Sequence, residues 1–148
     1  MKSNKETGIL LISHGSRLKH GSEVINKLAD LYRQKTTNKV EVGYMERKEP
    51  NIPQAVANLT EGTNIERIIV VPVFVAHGLH TKRDIPKILG LNSDEELIDE
   101  EENFHHHHHH HEIETVNFDG EIIFTDPLGA DPLIVKIIEK RVEEATQQ

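Results

Sequence analysis

The segment Arg67–Phe74 (RIIVVPVF) contains the strongest strand signal in this sequence. Gly8–Ser13 is a second short apolar run, and because it lacks polar alternation we expect a buried strand in a parallel sheet. Lys39–Met45 and Glu121–Phe124 are predicted to be the other two strands. Pro72 removes a backbone donor near the end of the third strand, so we expect an irregular or edge-exposed point there.

Four helical patterns alternate with these strands. The first helix is predicted to begin after Ser22, its N-cap. The second and third span Ile52–Leu59 and Asp84–Leu91. The last has Asp131 as N-cap and Pro132 at its first position. The apolar positions of the first and last helices are Val24, Ile25, Leu28 and Leu31, and Leu133, Ile134, Ile137, Ile138 and Val142. The order βαβαβα, insert, βα predicts an α/β fold with a mostly parallel sheet flanked by helices.

Length and composition predict a single domain over residues 1–148. The chain contains no cysteine, which excludes disulfides, thiolate metal sites and thiol catalysis. Any bound metal must therefore have nitrogen and oxygen ligands. No apolar run approaches membrane-spanning length, and the opening MKSNKETG lacks the apolar stretch of a signal peptide. We expect a cytoplasmic protein with no membrane partner.

Seven consecutive histidines lie inside a predicted insert at about 92–117. An affinity tag belongs at a terminus, so we interpret this run as native and as an accessory site for nickel, cobalt, zinc or copper. The predicted accessory metal ligands are His105, His106, His107, His108, His109, His110 and His111. Without apolar periodicity, the insert is expected to be disordered in the absence of metal.

Much of the net charge of −8 also belongs to the insert. Its clustered acidic residues are Asp94, Glu95, Glu96, Asp99, Glu100, Glu101 and Glu102. The rest of the chain is therefore nearly neutral, and a nucleic-acid partner is not expected.

Two further histidine motifs, SHGSR and AHGLH, follow predicted strands one and three. Ligands of parallel α/β sheets bind beyond the carboxyl ends of the strands, so His14, His77 and His80 are expected near one crevice. Imidazoles brought together there suit a divalent metal or a general base. His14 is predicted to be functional. For His77, a role in lining or orienting the site is as well supported as metal ligation.

Charged residues surround these motifs. Glu49 precedes Pro50 and is expected to present its carboxylate to the site, whereas Glu46 is interpreted as an ordinary solvated glutamate. Arg17, Lys82 and Arg83 flank the histidine loops, where they would suit a ligand that carries many carboxylates.

Other chemistries find less support in the sequence. The glycine patterns of dinucleotide and P-loop sites are absent, as is the G-x-S-x-G nucleophile elbow. Nucleotide binding and serine hydrolysis are therefore not favoured. A nickel storage protein or metallochaperone that works through the histidine run remains the alternative to an enzyme.

With these motifs in place, the chain resembles the small archaeal sirohydrochlorin chelatases, short-form relatives of the class II tetrapyrrole chelatases. The resemblance covers nearly the whole chain outside the insert. It is carried by LLISHGSR (Leu10–Arg17), MERKEPNIPQAV (Met45–Val56), RIIVVPVFVAHGLHTKRDIP (Arg67–Pro86) and DPLGAD (Asp126–Asp131).

The resemblance implies insertion of Co²⁺ or Ni²⁺ into sirohydrochlorin, an octacarboxylate macrocycle, towards cobalamin or towards the nickel tetrapyrrole of methanogenesis. It implies metal ligation by His14 and His80, with histidine also accepting protons, and no prosthetic group. It further implies a homodimer with the active site between subunits. The implied substrate-binding residues are Glu49, Val75, Ala76, His77, Gly78, Leu79 and His80.

Overall fold

Four parallel strands form the sheet of the computed structural model, which describes residues 5–15, 18–78, 80–91 and 115–147 and, for His80 and Thr81, the backbone only. The strands are β1 (Thr7–Ser13), β2 (Lys39–Tyr44), β3 (Arg67–Pro72) and β4 (Glu121–Phe124). Their order across the sheet is β2-β1-β3-β4, and each neighbouring pair is parallel. All carboxyl ends therefore lie at one edge of the sheet, and the predicted α/β fold is confirmed.

The helices cover the two faces of this sheet unequally. They are α1 (Lys19–Arg33), α2 (Ile52–Thr60), α3 (Ile85–Ile88) and α4 (Pro132–Thr146), with a π-helical turn at His80–Asp84 before α3. α2 and α3 pack on one face, here called the inner face, and α1 packs on the opposite, outer face. Core residues include Leu10, Ile12, Ile52, Ala55, Val56, Leu59, Ile68, Val70 and Ile85 on the inner face, and Ile9, Leu11, Ile25, Ala29, Val40 and Val42 on the outer face.

Helix α1 begins earlier than predicted. Its N-cap is Leu18, whereas Ser22, the predicted N-cap, lies inside the helix and donates from Oγ to the carbonyl of Lys19 at 2.9 Å. The Lys48 ammonium donates to the same hydroxyl at 3.1 Å. The prediction of Ser22 as N-cap was wrong because its hydroxyl bonds within the helix and to a distant loop, and local sequence does not reveal that loop.

Pro72 ends β3 without lying at an exposed edge. β3 runs between β1 and β4, and Pro72 is buried. β4 pairs with β3 only as far as Val70, whose carbonyl accepts from the Thr125 amide at 2.9 Å. The missing donor of Pro72 therefore falls beyond the last residue pair with β4. Of the two predicted possibilities, an irregular point or an exposed edge, the exposed edge is wrong. Pro72 is the last residue of a strand that lies between two others.

The third predicted helix is shorter than expected, and one residue assigned to the insert belongs to the core. Of the predicted range Asp84–Leu91, only Ile85–Ile88 forms α3, and the π-helical turn precedes it. Val116, predicted to belong to the insert, packs against the inner core, and its amide donates to the Ile88 carbonyl at 3.0 Å.

The predicted accessory metal ligands of the histidine run lie outside the described residues. Their role in metal binding therefore stays a prediction. They are His105, His106, His107, His108, His109, His110 and His111.

Helix α4 begins as predicted, with the Asp131 carboxylate accepting from the Leu133 amide at 2.8 Å. Although the helix is amphipathic, none of its residues is buried. Among the described helices, none is both long and apolar enough to cross a membrane.

Candidate active site

His14 is the first residue after β1 and lies at the carboxyl edge of the sheet. Its imidazole packs edge to face against Phe74, with 6.4 Å between ring centroids. Phe74 follows β3, the neighbour of β1, so the two rings bridge the ends of two central strands. About half of the His14 side chain (52%) remains exposed to solvent. The histidine is therefore fixed on one side and accessible on another.

The Glu46 carboxylate lies beside His14. Its Oε1 is 3.6 Å from Nδ1 of the imidazole, within ion-pair range. The backbones are also paired, because the Met45 amide donates to the Ser13 carbonyl at 3.0 Å and the Glu46 amide to the His14 carbonyl at 3.2 Å. Backbone hydrogen bonding thus continues beyond the ends of β1 and β2, and it places the side chains of His14 and Glu46 next to each other.

Gly15 allows this close approach of the two loops. Its φ of +94° lies in the region that disfavours side chains, and a Cβ at this position would overlap the carbonyl oxygen of Glu46. Arg47, next to Glu46, also has a positive φ of 63°, which is uncommon for a residue with a side chain. Such backbone conformations concentrate at binding and catalytic loops.

The chain after β3 forms an exposed segment, Val75–Gly78, beside these loops. Within it, Nε2 of His77 is 3.3 Å from Oδ1 of Asp126, which ties the segment to the loop after β4. The Leu128 and Gly129 amides donate to the carbonyls of Phe74 and Val75, each at 2.8 Å. In this structure His77 joins two loops, and its role at the site stays a prediction.

An open apolar groove of about 700 Å³ runs from this segment to the first turns of α4. Aliphatic side chains dominate its surface, and the His77–Asp126 pair contributes polar groups. A groove of this size is in the range of small-molecule sites. Its lining includes Val75, Ala76, Pro127, Ile134, Val135 and Ile138.

The other predicted site residues are placed only in part. Glu49 is exposed in the loop after β2, before a cis bond to Pro50. His80 opens the π-helical turn, but its side chain lies outside the described residues, as do Leu79 and Arg17. Arg83 is paired with the neighbouring Asp84 through Nε at 2.8 Å. Among the described side chains, no three histidine or carboxylate groups converge on a metal position.

Sequence reasoning missed the contacts that Glu46, Phe74 and Asp126 make with the predicted histidines. Glu46 was interpreted as a solvated glutamate, whereas its carboxylate lies at the His14 ring. Glu46 and His14 follow neighbouring parallel strands, so their contact could be predicted from the sequence. Such a prediction requires the exact register of β1 and β2. Asp126 gave no signal of its own beyond its place after β4.

Comparison with known proteins identifies the family. A model of the CbiX family matches residues 8–145, so the chain belongs to this family, and the resemblance seen in the sequence is confirmed. A sirohydrochlorin cobaltochelatase of Methanothermobacter thermautotrophicus is 53% identical over 138 residues, which cover 93% of this chain and 92% of the relative.

Solved structures share the fold. A protein of Marinobacter aquaeolei VT8, described as a cobalamin (vitamin B12) biosynthesis CbiX protein, is 27% identical with a TM-score of 0.63, and the match covers 95% of this chain and 98% of that one. The sirohydrochlorin chelatase SirB of Bacillus subtilis subspecies spizizenii, in complex with cobalt, is 22% identical with a TM-score of 0.66. The match covers 94% of this chain and 50% of SirB, so this chain corresponds to half of the SirB chain.

Proposed function

We propose that this protein is a sirohydrochlorin chelatase that inserts Co²⁺ or Ni²⁺ into the macrocycle. The observation that carries the proposal is the accessible His14 imidazole, held by Glu46 and Phe74 at the edge of an exposed apolar segment. The high identity to an archaeal protein named for this activity supports it. We place the reaction in the cytoplasm, with no prosthetic group and with the metal as a substrate.

In the proposed reaction His14 and His80 bind the incoming metal. Nδ1 of His14 lies 3.4 Å from the Gly15 carbonyl oxygen and 3.6 Å from the Glu46 carboxylate, so we assign metal binding to Nε2, with these two oxygens orienting the ring. A carboxylate in this position favours a divalent cation in front of the imidazole. Glu46 thus acts as a positioning residue.

Metal insertion breaks two pyrrole N–H bonds and forms bonds from the metal to the macrocycle nitrogens. The two protons must leave as the metal enters, and a neutral imidazole is a suitable acceptor near neutral pH. His14 accepts one of the two protons once the metal has passed from its ring to the macrocycle, and water accepts the other. Solvent reaches the exposed half of the side chain and carries the proton away.

The exposed segment and the groove suit a flat macrocycle with charged edges. Val75 is 65% exposed and, with Ala76, offers apolar surface to the ring plane. Gly78 carries no side chain and allows close approach of the backbone. Arg47 and Lys48 follow Glu46 on the same loop and supply positive charge for the carboxylates of sirohydrochlorin. The remaining proposed substrate contacts are Glu49, His77 and Leu79.

We also propose that the working protein is a homodimer with the site between its subunits. A single copy has the groove open on one side, and the SirB chain contains about twice the length of this fold. Two copies of this chain therefore equal one chain of SirB in length.

The test is the rate of metal insertion into sirohydrochlorin, followed through the visible spectrum of the macrocycle, with Co²⁺ and Ni²⁺ compared at equal concentration. His14→Ala and His80→Ala are expected to reduce the rate at least a hundredfold. His20→Ala is the matched control, because His20 is highly exposed on α1 and pairs with Glu23. A His14→Ala protein as fast as the wild type would rule out the proposed role.

A further inference from the structure

The loop that follows β2 is fixed on three sides. We call residues 45–49 the β2 loop. At its base the Tyr44 amide donates to the Pro50 carbonyl at 2.9 Å, which brings the two ends of the loop together. On one flank its first two amides donate to carbonyls at the end of β1. On the other flank the Lys48 ammonium donates to Oγ of Ser22 on α1 at 3.1 Å.

Arg47, the middle residue of the β2 loop, has a backbone conformation that disfavours side chains. Among the residues that the structure describes, it is the only one other than glycine with a positive φ, of 63°. This conformation is strained for a residue with a Cβ, and glycine would adopt it without strain. Strain of this kind persists where the surrounding contacts impose it, and it concentrates at functional loops. An arginine at this position therefore indicates a role for its side chain.

The guanidinium of Arg47 lies close to the proposed metal site. Oε1 of Glu46 is 3.6 Å from Nδ1 of His14 and 3.9 Å from Nε of Arg47, so the two nitrogens are separated by no more than these distances combined. The Arg47 side chain is 59% exposed, and 3.9 Å exceeds the range of a hydrogen bond. Within the described part of the chain, Glu46 is the one ion-pair partner of Arg47. The N–H groups of the guanidinium are thus open to a solute.

Two other cations near the carboxyl edge of the sheet are engaged by protein. Lys48 is partly buried and bound to Ser22, and Nε of Arg83 donates to Asp84 at 2.8 Å. These cations add positive potential, whereas Arg47 is free to make a direct contact. A guanidinium presents paired N–H groups that match the two oxygens of a carboxylate.

We propose that Arg47 binds a peripheral carboxylate of the tetrapyrrole and so selects acidic tetrapyrroles, and that the Lys48–Ser22 bond positions it. The inference rests on the proposed function and names a residue of that site that discriminates the substrate. Separate groups then recognise the two substrates, since imidazole binds the metal and guanidinium binds the carboxylate. The short separation of Arg47 from His14 suits a macrocycle whose carboxylates surround the nitrogen atoms that receive the metal.

The first test measures the affinity of the full-length protein for metal-free sirohydrochlorin, through the change in the absorption spectrum of the macrocycle. Arg47→Gln is expected to raise the dissociation constant roughly tenfold, and Arg47→Lys by less, because an ammonium keeps the charge and lacks the paired donors. Lys19→Gln is the matched control, since it removes an exposed positive charge from the first turn of α1. It should change the constant by less than about twofold. An Arg47→Gln protein that binds as tightly as the wild type would overturn the proposal.

Arg47→Gly separates the side chain from the strain of its backbone. Relief of strain offsets the greater freedom of glycine in the unfolded chain, so we expect an unfolding temperature close to that of the wild type. The variant should bind sirohydrochlorin as weakly as Arg47→Gln does. Binding of Co²⁺ without the macrocycle should equal that of the wild type. A parallel loss of Co²⁺ binding would mean that Arg47 supports the metal site and does not select the tetrapyrrole.

Selection by charge is tested with two water-soluble porphyrins. Uroporphyrin carries carboxylates, whereas a porphyrin with N-methylpyridinium groups is cationic. Arg47→Gln should weaken the binding of uroporphyrin and leave the binding of the cationic porphyrin unchanged or tighter. Equal weakening of both would mean that the arginine acts through the shape of the loop, which would overturn the proposal.

The positioning role of Lys48 is tested by a double substitution. Ser22→Ala removes the acceptor of Lys48 and is expected to raise the dissociation constant for sirohydrochlorin about threefold, whereas Ser22→Thr keeps the hydroxyl and the affinity. In the Arg47→Gln protein, Ser22→Ala should have no further effect, because both changes act on one contact. Additive effects would mean that the Lys48–Ser22 bond does not act through Arg47.

Failure of this inference is distinct from failure of the proposed function. A protein that inserts metal and keeps its affinity for sirohydrochlorin in Arg47→Gln overturns this inference alone. A protein that binds sirohydrochlorin through Arg47 and never inserts metal overturns the chelatase proposal alone. A wild type that does not bind sirohydrochlorin overturns both.

Discussion

At the scale of single residues, Gly15 determines how closely the loops after β1 and β2 approach. Gly15→Ala introduces a Cβ that overlaps the Glu46 carbonyl, and the loops must separate to accommodate it. We expect a lower unfolding temperature, by roughly 3–10 °C, since backbone strain of this kind costs about 1–3 kcal/mol. The rate of metal insertion should fall further than this loss of stability explains.

Gly62→Ala is the control for this substitution. Gly62 also has a positive φ, of 70°, but a Cβ there meets nothing within 4 Å. Both variants therefore carry backbone strain, and only Gly15→Ala displaces the loop of His14. Equal insertion rates in the two variants, measured at a temperature where both are folded, would mean that the loop contact does not position His14.

The carboxylate of Glu46 provides a second prediction at this scale. Glu46→Gln keeps the shape of the side chain and removes its charge, so we expect about 10- to 100-fold weaker Co²⁺ binding or slower insertion. Glu61→Gln, exposed at the end of α2, is the matched control. If Glu46→Gln binds Co²⁺ and inserts it as well as the wild type does, the carboxylate does not position His14.

Contacts between single side chains are the part of the site that the sequence could not predict. The position of His14 at a strand end followed from an apolar run that ends in HGSR. Its contact with Glu46 depends on the register between β1 and β2, and no local pattern encodes a register. The pairing of His77 with Asp126 likewise joins loops that lie 49 residues apart in the chain.

At the scale of elements, the seam between α1 and β2 contains a buried phenol. Burial raises the pKa of Tyr44 above its ordinary value of 10.0, and the side-chain hydrogen bond with Asn26 partly opposes this effect. The folded state therefore favours the protonated phenol more than the unfolded state does. Stability is retained below pH 10 and is lost as the pH rises through the raised pKa.

Tyr44→Phe is expected to remove this part of the pH dependence. The variant loses the bond to Asn26, which costs about 1 kcal/mol at neutral pH, yet it should lose less stability than the wild type between pH 9 and about 11.5. Urea unfolding at the two pH values measures the difference. Tyr32→Phe, on the exposed part of α1, provides the comparison. If all three proteins lose stability equally, Tyr44 does not titrate as its burial implies.

Strands were easier to predict than helices. β1 is a continuous apolar run because both of its faces are buried, and this leaves a clear trace in the sequence. β3 is equally apolar, although only its inner face is fully buried. The start of α1 was predicted wrongly because Ser22 bonds to Lys19 and Lys48, and only the fold brings Lys48 there. The apolar positions of α4 were predicted correctly as one helix face, yet no residue of this helix is buried. Periodicity identifies an apolar face but not the molecule that covers it.

At the scale of the whole molecule, the acidic and histidine-rich insert is predicted to supply metal and not to catalyse. Deleting residues 99–111, which lie outside the described part of the chain, should leave insertion unchanged at saturating Ni²⁺. The rate should fall below that of the wild type only when Ni²⁺ is scarce or held by a competing chelator. Equilibrium dialysis should show the loss of several metal equivalents per chain. A deletion variant that is inactive at saturating metal would mean that the histidine run itself takes part in catalysis.

The two hydrogen bonds from Leu128 and Gly129 to Phe74 and Val75 join the root of α4 to the segment that carries the substrate contacts. If the working protein is the proposed homodimer with the site between its subunits, the geometry of this segment depends on subunit association. Specific activity should then fall on dilution below the dissociation constant of the subunits, and it should recover when inactive His14→Ala protein is added as a partner. Catalytic output would scale with the concentration of pairs and not with the concentration of chains.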